Sequence, residues 1–106
     1  MKYSKYIIPI VLCSILSIVF GDVTFINTID DLNSIRNNLS GHYILNSNLD
    51  FTGSIYSINE GFLPIGTLSN PFLGTFDGQN NTITGLFINR PATNYVGLFG
   101  YLGNTS

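Results

Sequence analysis

The stretch GTFDGQNNTITGLFI, residues 74 to 88, decides which fold the sequence predicts. It holds two glycine-led apolar segments, Gly74-Thr-Phe and Gly85-Leu-Phe, separated by an Asp-Gly turn and a run of asparagines. A third segment, Gly97-Leu-Phe-Gly, follows 12 residues after the second. Glycine adopts positive φ at no steric cost, so the pattern is typical of a sharp corner followed by a side chain that fills a narrow interior.

Glycine followed two residues later by Ile, Leu or Phe recurs along the second half of the chain. The segments begin at Gly53, Gly66, Gly74, Gly85 and Gly97, with spacings of 13, 8, 11 and 12 residues. Alternate members lie 19 to 23 residues apart, which is the length of one coil of a β-solenoid with two short strands. The spacing therefore predicts an all-β solenoid. The alternative is a chance pattern, because the chain contains eleven glycines.

The N-terminal segment has the three-part pattern of an export signal. Two lysines within residues 1–5 precede an apolar run from Ile7 to Phe20, and Val19 and Gly21 suit signal peptidase. We predict a signal peptide over residues 1–21 and a secreted or cell-surface location. An uncleaved anchor is the alternative, but the run is shorter than the roughly 20 residues that a spanning helix needs. Cys13 follows Leu12 and is not expected to be lipidated.

Charge and cysteine content limit the partners of residues 22–106. This part contains two basic residues, Arg36 and Arg90, against six acidic ones and no cysteine. Nucleic-acid binding needs a basic stripe, so we expect no nucleic-acid partner, and membrane contact only through the export signal. Without disulfides, so small a domain is expected to be stabilised by stacking on further chain or on a partner.

Two regions follow the signal. Residues 22–41 predict an N-terminal cap with a short helix, because Ile29, Leu32, Ile35 and Leu39 have helical spacing after Thr28, a suitable N-cap. Residues 42–106 predict the first coils of the solenoid, with Asn80 and Asn81 at a corner where stacked amides can bond. The pattern stops within a coil, so we expect the chain to be the start of a longer protein whose further coils stack upon it.

Several motifs resemble the GLUG repeat. YVGLFGYLGN, residues 95–104, is similar to the repeat itself, and HYILNSNLDF (42–51), LPIG (63–66) and PFLGTFDGQNNTITGLFI (71–88) resemble the segment that precedes it. Phe62 departs from the tryptophan often found before PIG. The resemblance implies a right-handed parallel β-helix in a large secreted or surface protein, commonly adhesin-like and similar to filamentous haemagglutinin. It carries no catalytic residues.

The sequence indicates no catalytic, cofactor or metal site. His42 is the single histidine, and no second histidine, cysteine or His-Glu-x-x-His motif accompanies it. Asp30 and Asp31 suit a helix N-terminus, whereas Asp50 and Asp77 fall in different predicted coils. Pectin-cleaving β-helices use clustered aspartates with basic residues, a pattern that is missing here. Three glycosylation sequons begin at Asn38, Asn80 and Asn104, about the number expected by chance.

These features predict a non-enzymatic secreted or cell-surface β-helix segment, adhesin-like or structural, that binds glycan or a protein of a host or neighbouring cell. Two alternatives stay open. The chain could begin a carbohydrate-active β-helix enzyme, a polysaccharide lyase or hydrolase, whose catalytic coils lie beyond residue 106. It could also be the N-terminal accessory region of an immunoglobulin-cleaving zinc protease, since some proteins with the GLUG motif are such proteases. Clustered aspartates or a His-Glu-x-x-His motif downstream would distinguish the two.

Overall fold

The computed structural model describes residues 22–103 of the chain. The predicted signal peptide, residues 1–21, and the sequon at Asn104 lie outside this range. Five strands and one α-helix follow in order: β1 (Val23–Ile26), α1 (Ile29–Asn33), β2 (His42–Leu45), β3 (Leu49–Asp50), β4 (Thr75–Asp77) and β5 (Ile83–Thr84). Two 3-10 turns lie at Ser34–Asn37 and Ile55–Ser57. Within residues 22–103 no helix has the length and apolarity to cross a membrane.

The helix α1 begins where its capping residues indicate. Thr28 Oγ1 accepts a hydrogen bond from the backbone N–H of Asp31 at 3.0 Å. The carboxylate of Asp31 accepts in return from the N–H of Thr28 at 3.1 Å, which completes a capping box. The α-helix ends at Asn33, where Ser34 Oγ donates to the carbonyl of Asp30 and the chain tightens into a 3-10 turn. Leu32 and Ile35 are fully buried on its inner side.

The strands pair in parallel to form two small sheets. The first sheet has the order β1-β2-β4, and the second pairs β3 with β5. In the first sheet Ile26 lies beside Leu45, and Tyr43 lies beside Phe76. Because side chains alternate across a strand, these residues face the core while their neighbours form an outer face. That face consists of Val23, Phe25, His42, Ile44, Thr75 and Asp77.

An aromatic cluster fills the centre of the core. Phe62 is fully buried, and its ring lies 5.4 Å from that of Phe51 and 5.4 Å from that of Tyr56, both edge to face. Such pairs add about 0.5–1.5 kcal/mol beyond the area they bury. The strands, α1, the 3-10 turn after it and two single bridges in the long connection contribute the remaining buried residues, Ile26, Leu32, Ile35, Tyr43, Leu45, Leu49, Ile65 and Phe72. The helix thus packs into the same core as the sheets.

The predicted right-handed parallel β-helix is wrong for this chain. The strands are two to four residues long and form one three-stranded and one two-stranded sheet, so residues 22–103 contain no closed coil. The long connection from Phe51 to Gly74 is held by turns and single bridges, and one of those bridges, between Gly61 and Ile88, is antiparallel. The helix α1 is accordingly part of the core and does not cap a solenoid.

The error originates in the reading of the glycine segments. The apolar residue two positions after glycine was expected to point inward. Phe76 and Phe99 do pack against the core. The other three, Ile55, Leu68 and Phe87, are 76%, 60% and 40% exposed. Of these segments, the one at Gly74 leads into a strand. Gly74 is required there by close approach, because a Cβ at this position would overlap the carbonyl oxygen of Gly41. Gly85 does adopt positive φ, at +70°.

Asparagine amides do bond between neighbouring strands, but not at the corner predicted for Asn80 and Asn81. Asn27 and Asn46 follow the paired residues Ile26 and Leu45, and Asn46 Nδ2 donates to Asn27 Oδ1 at 3.0 Å. Asn81, predicted for such a ladder, instead donates from Nδ2 to the carbonyl of Leu45 at 2.8 Å. The amides therefore extend the sheet bonding beyond the ends of β1 and β2.

Candidate functional surface

His42 lies on the outer face of the first sheet and not in a cluster of ionisable groups. Its ring is exposed, and Nδ1 lies 3.0 Å from Thr75 Oγ1, the hydroxyl of its register partner on β4. The register places Asp77 opposite Ile44. Residues 22–103 contain no group of three or more His, Cys, Asp or Glu side chains that could hold a metal ion.

The carboxylates of Asp50 and Asp77 fix turns. Asp50 Oδ1 accepts from the backbone N–H of Thr52 at 2.9 Å, and Asp77 Oδ1 accepts from the N–H of Gln79 at 3.0 Å. The bonds from Thr52, first from its N–H and then from its side chain, hold the pKa of Asp50 below its ordinary value. Both aspartates therefore stabilise the chain where a strand ends, and the structure does not bring them together with His42.

Two arginines bind the segment from Glu60 to Pro64: Arg36 from the 3-10 turn after α1, and Arg90 from a loop after β5. Arg36 donates from Nη2 to the carbonyl of Leu63 at 2.7 Å, and its guanidinium carbon lies 5.4 Å from the centre of the Phe62 ring. Arg90 donates to the carbonyl of Gly61 at 3.2 Å and pairs with the carboxylate of Glu60 at 3.1 Å. Burial lowers the pKa of Arg36, but an arginine keeps its proton at physiological pH.

A small cleft of about 80 Å³ lies beside this segment. One wall runs from Leu63 to Leu68, and the other consists of Thr93, Asn94 and Tyr95. The ring of Tyr95 is 53% exposed and meets the ring of Tyr101 edge to face at 5.1 Å. Sequence reasoning did not find this cleft. No motif in the sequence indicates it, because the close approach of Gly100 to Tyr95, where a Cβ would lie 2.8 Å from the Tyr95 carbonyl oxygen, is seen in the structure alone.

The two sequons in the described range differ in their surroundings. The side chain of Asn38 accepts from the N–H of Ser40 at 3.3 Å, so its amide takes part in the turn after the helix. Asn80 is exposed at a turn with φ of +62°. The asparagine type explains this conformation, because asparagine tolerates positive φ better than most residues.

Two larger proteins contain a segment similar to this chain. One is described as a Gly-rich membrane protein of Evansella cellulosilytica, 40% identical over 80 residues that make up 74% of this chain and 9% of that protein. The other is Halomucin of Haloquadratum walsbyi, 35% identical over 86 residues, which make up 74% of this chain and 1% of that protein. The chain thus spans a small part of each relative. No family model and no solved structure matches it.

Proposed function

We propose that this chain is a non-enzymatic segment of a surface-associated protein. The observation that carries the proposal is its similarity to segments of a Gly-rich membrane protein and of Halomucin. The arrangement of the ionisable side chains supports the same proposal. Asp31, Asp50 and Asp77 accept from backbone N–H groups, while Arg36 and Arg90 donate to backbone carbonyls. These groups serve the backbone structure, and a structural role is what a scaffold requires.

The more specific proposal is an adhesin-like or structural role. The parallel strands hold the outer face of the first sheet at a fixed register, so apolar and polar side chains are displayed in rows. In one row Phe25, 52% exposed, lies beside Ile44 and then Asp77. A mixed apolar and polar face of this kind is suited to contact with a glycan or another protein. The resemblance of residues 95–104 to GLUG repeats, which occur in surface proteins, supports this role.

Surface location can be tested on cells that produce the protein naturally. A short epitope is inserted after Gly53, an exposed turn residue with open space around its Cβ position. We expect antibody to label intact cells as strongly as permeabilised cells. The same epitope on a cytoplasmic protein of those cells is the control, and it should be labelled after permeabilisation alone. Labelling of the tagged chain that needs permeabilisation would contradict the proposal.

A further inference from the structure

Tyr95 has a backbone conformation that its residue type does not favour. Its φ is +59°, and the other non-glycine residues with positive φ between positions 22 and 103 are Asn59, Gln79 and Asn80. Asparagine tolerates this region, whereas a bulky aromatic residue there is an outlier that costs about 1–3 kcal/mol. Yet Tyr95 is 53% exposed, so the burial of its side chain is too small to offset the strain. Strain of this kind persists where the surroundings fix the residue, and it is found at binding sites.

Backbone hydrogen bonds fix the wall from Leu63 to Leu68, and on the other wall the N–H of Thr93 donates to the carbonyl of Arg90 at 3.0 Å. The N–H of Ile65 donates to the carbonyl of Leu98 at 2.9 Å, and the N–H of Gly100 donates to the carbonyl of Ile65 at 2.8 Å. Thr67, in the same wall, makes two hydrogen bonds with Asn70: its N–H donates to the Asn70 carbonyl, and its hydroxyl accepts from the Asn70 N–H. The cleft is therefore present before any ligand binds, which lowers the entropic cost of binding.

The lining has the chemistry of a site for a neutral polyhydroxyl ligand. Leu63, Pro64 and Leu68 give apolar contact next to the Tyr95 ring, while Thr67, Thr93 and Asn94 supply hydroxyl and amide groups. The Thr67 hydroxyl already accepts from the N–H of Asn70 and lies 3.3 Å from Ser69 Oγ. The side chains of Thr93 and Asn94 and the Tyr95 hydroxyl make no hydrogen bond to another residue between 22 and 103, so they are free to bond a ligand. A few polar groups in an apolar cleft are typical of small-molecule sites, and a volume of about 80 Å³ limits the contact to part of a single sugar ring.

Charge and backbone geometry narrow the ligand class. No residue of the lining is charged, and both arginines of the described range already bind backbone carbonyls, so an anionic ligand would have no counter-charge. A peptide that adds a strand is bound through main-chain bonds along a sheet edge, but no lining residue belongs to a strand. A sugar ring fits both conditions, because it presents an apolar C–H face and a rim of hydroxyls.

We propose that the cleft beside Tyr95 binds a neutral saccharide unit, with the Tyr95 ring against the sugar face and Thr67, Thr93 and Asn94 bonding its hydroxyls. This inference deepens the proposed function by naming the ligand class, and it rests on that function for its biological setting. The surface role and the saccharide site can be refuted independently. A chain that is displayed on cells but binds no sugar refutes the saccharide site, and a chain that binds sugar but stays inside the cell refutes the surface role.

The test uses the full chain on an array of neutral and acidic glycans, with the variant Tyr95→Gly. Glycine adopts a φ near +59° without strain, so this variant should melt at the same or a higher temperature than the original chain. Loss of the ring should nevertheless weaken binding of neutral glycans about tenfold or more. Phe87→Ala is the control, because Phe87 is an aromatic residue of 40% exposure that lies outside the cleft and outside the outer face of the first sheet, and it should leave binding unchanged.

A second variant separates binding from folding. Thr93→Val keeps the volume of a lining side chain and removes its hydroxyl, so it should fold normally and also weaken binding of neutral glycans. Reduced binding by both cleft variants with full binding by Phe87→Ala would support the proposal. Binding of acidic glycans alone, absence of glycan binding, or full binding by Tyr95→Gly and Thr93→Val would overturn it.

Discussion

Arg36 Nη2 donates to the backbone carbonyl oxygen of Leu63 at 2.7 Å, across 27 residues of sequence. The same guanidinium donates from Nε to the side chain of Asn33 at 2.9 Å and lies over the ring of Phe62. One side chain therefore joins the helical segment, the aromatic core and the wall of the cleft. Since residues 22–103 contain no cysteine, such contacts, together with the apolar core, connect the long loop to the rest of the domain.

The first prediction concerns this contact. Arg36→Ala should lower the free energy of unfolding by about 2 kcal/mol, because charged hydrogen bonds to the backbone and the contact with the Phe62 ring are lost. Arg36→Lys should recover less than half of this loss, since an ammonium cannot reproduce the planar fork that reaches Asn33 and Leu63 together. Urea unfolding followed by circular dichroism measures both. Unfolding midpoints for the two variants that equal that of the original chain would contradict the assignment.

The second prediction compares the roles of the two glycines in GTFDG, residues 74–78. Gly74→Ala should destabilise the chain by about 1–3 kcal/mol, because the added Cβ would meet the backbone of Gly41. Gly78→Ala is the matched control, since a Cβ there meets nothing within 4 Å, and its effect should stay within about 0.5 kcal/mol. Thermal melts of the two variants give the comparison. An equal loss of stability would show that the two glycines share a conformational role.

The third prediction is a dependence on pH. The N–H groups of Asn27 and Thr28, with the Thr28 hydroxyl, hold the pKa of Asp31 below its ordinary value. A lowered pKa in the folded state means that the stabilisation is fully present above about pH 4 and is lost as pH falls through the folded-state value. The melting temperature should therefore fall on acidification, and less steeply in Asp31→Asn.

The control for this pH effect is Asp30→Asn, in the same first turn of α1, which leaves the bonds of Asp31 in place. Melting temperatures measured from pH 7 down to about pH 2.5 compare the three chains. If the profile of Asp31→Asn coincides with that of the original chain, the capping box does not contribute to acid sensitivity.

The fourth prediction tests the aromatic core. Phe62→Ala should cost about 3–5 kcal/mol, comparable to the whole stability of so small a domain, because the side chain is fully buried against Phe51 and Tyr56. Phe87→Ala should cost about 1 kcal/mol, since Phe87 is 40% exposed. Near-ultraviolet circular dichroism reports the packing of these rings. A folded Phe62→Ala variant with an unchanged melting temperature would contradict the position of the core.

Local features could be predicted from the sequence, and features that depend on distant packing could not. Thr28 indicates the start of α1 because capping involves residues three positions apart. Asp77 indicates the end of β4 because its side chain binds the N–H two residues later. Asp77, however, predicts only that the chain turns after β4. It does not say whether the chain then returns to close a coil.

The missing closure depends on contacts that the glycine spacing does not encode. Ile55 was expected inside a coil, but Ser54 caps a 3-10 turn that leaves it 76% exposed, and Tyr56 enters the aromatic cluster instead. Leu98, which follows Gly97, is half-buried against the core, but it lies in a loop and not in a strand, and its carbonyl accepts from the N–H of Ile65. Tyr95 shows the same limit, because nothing in its residue type predicts positive φ.

The central claim is that the ionisable side chains of this chain serve its structure and perform no reaction. The most direct test is a turnover assay of the full chain on polygalacturonate and on casein, with and without calcium or zinc. Variants His42→Ala, Asp50→Asn and Asp77→Asn are assayed beside it. We predict product formation no higher than in a blank for all four chains. Turnover by the original chain that any one of these substitutions abolishes would contradict the account.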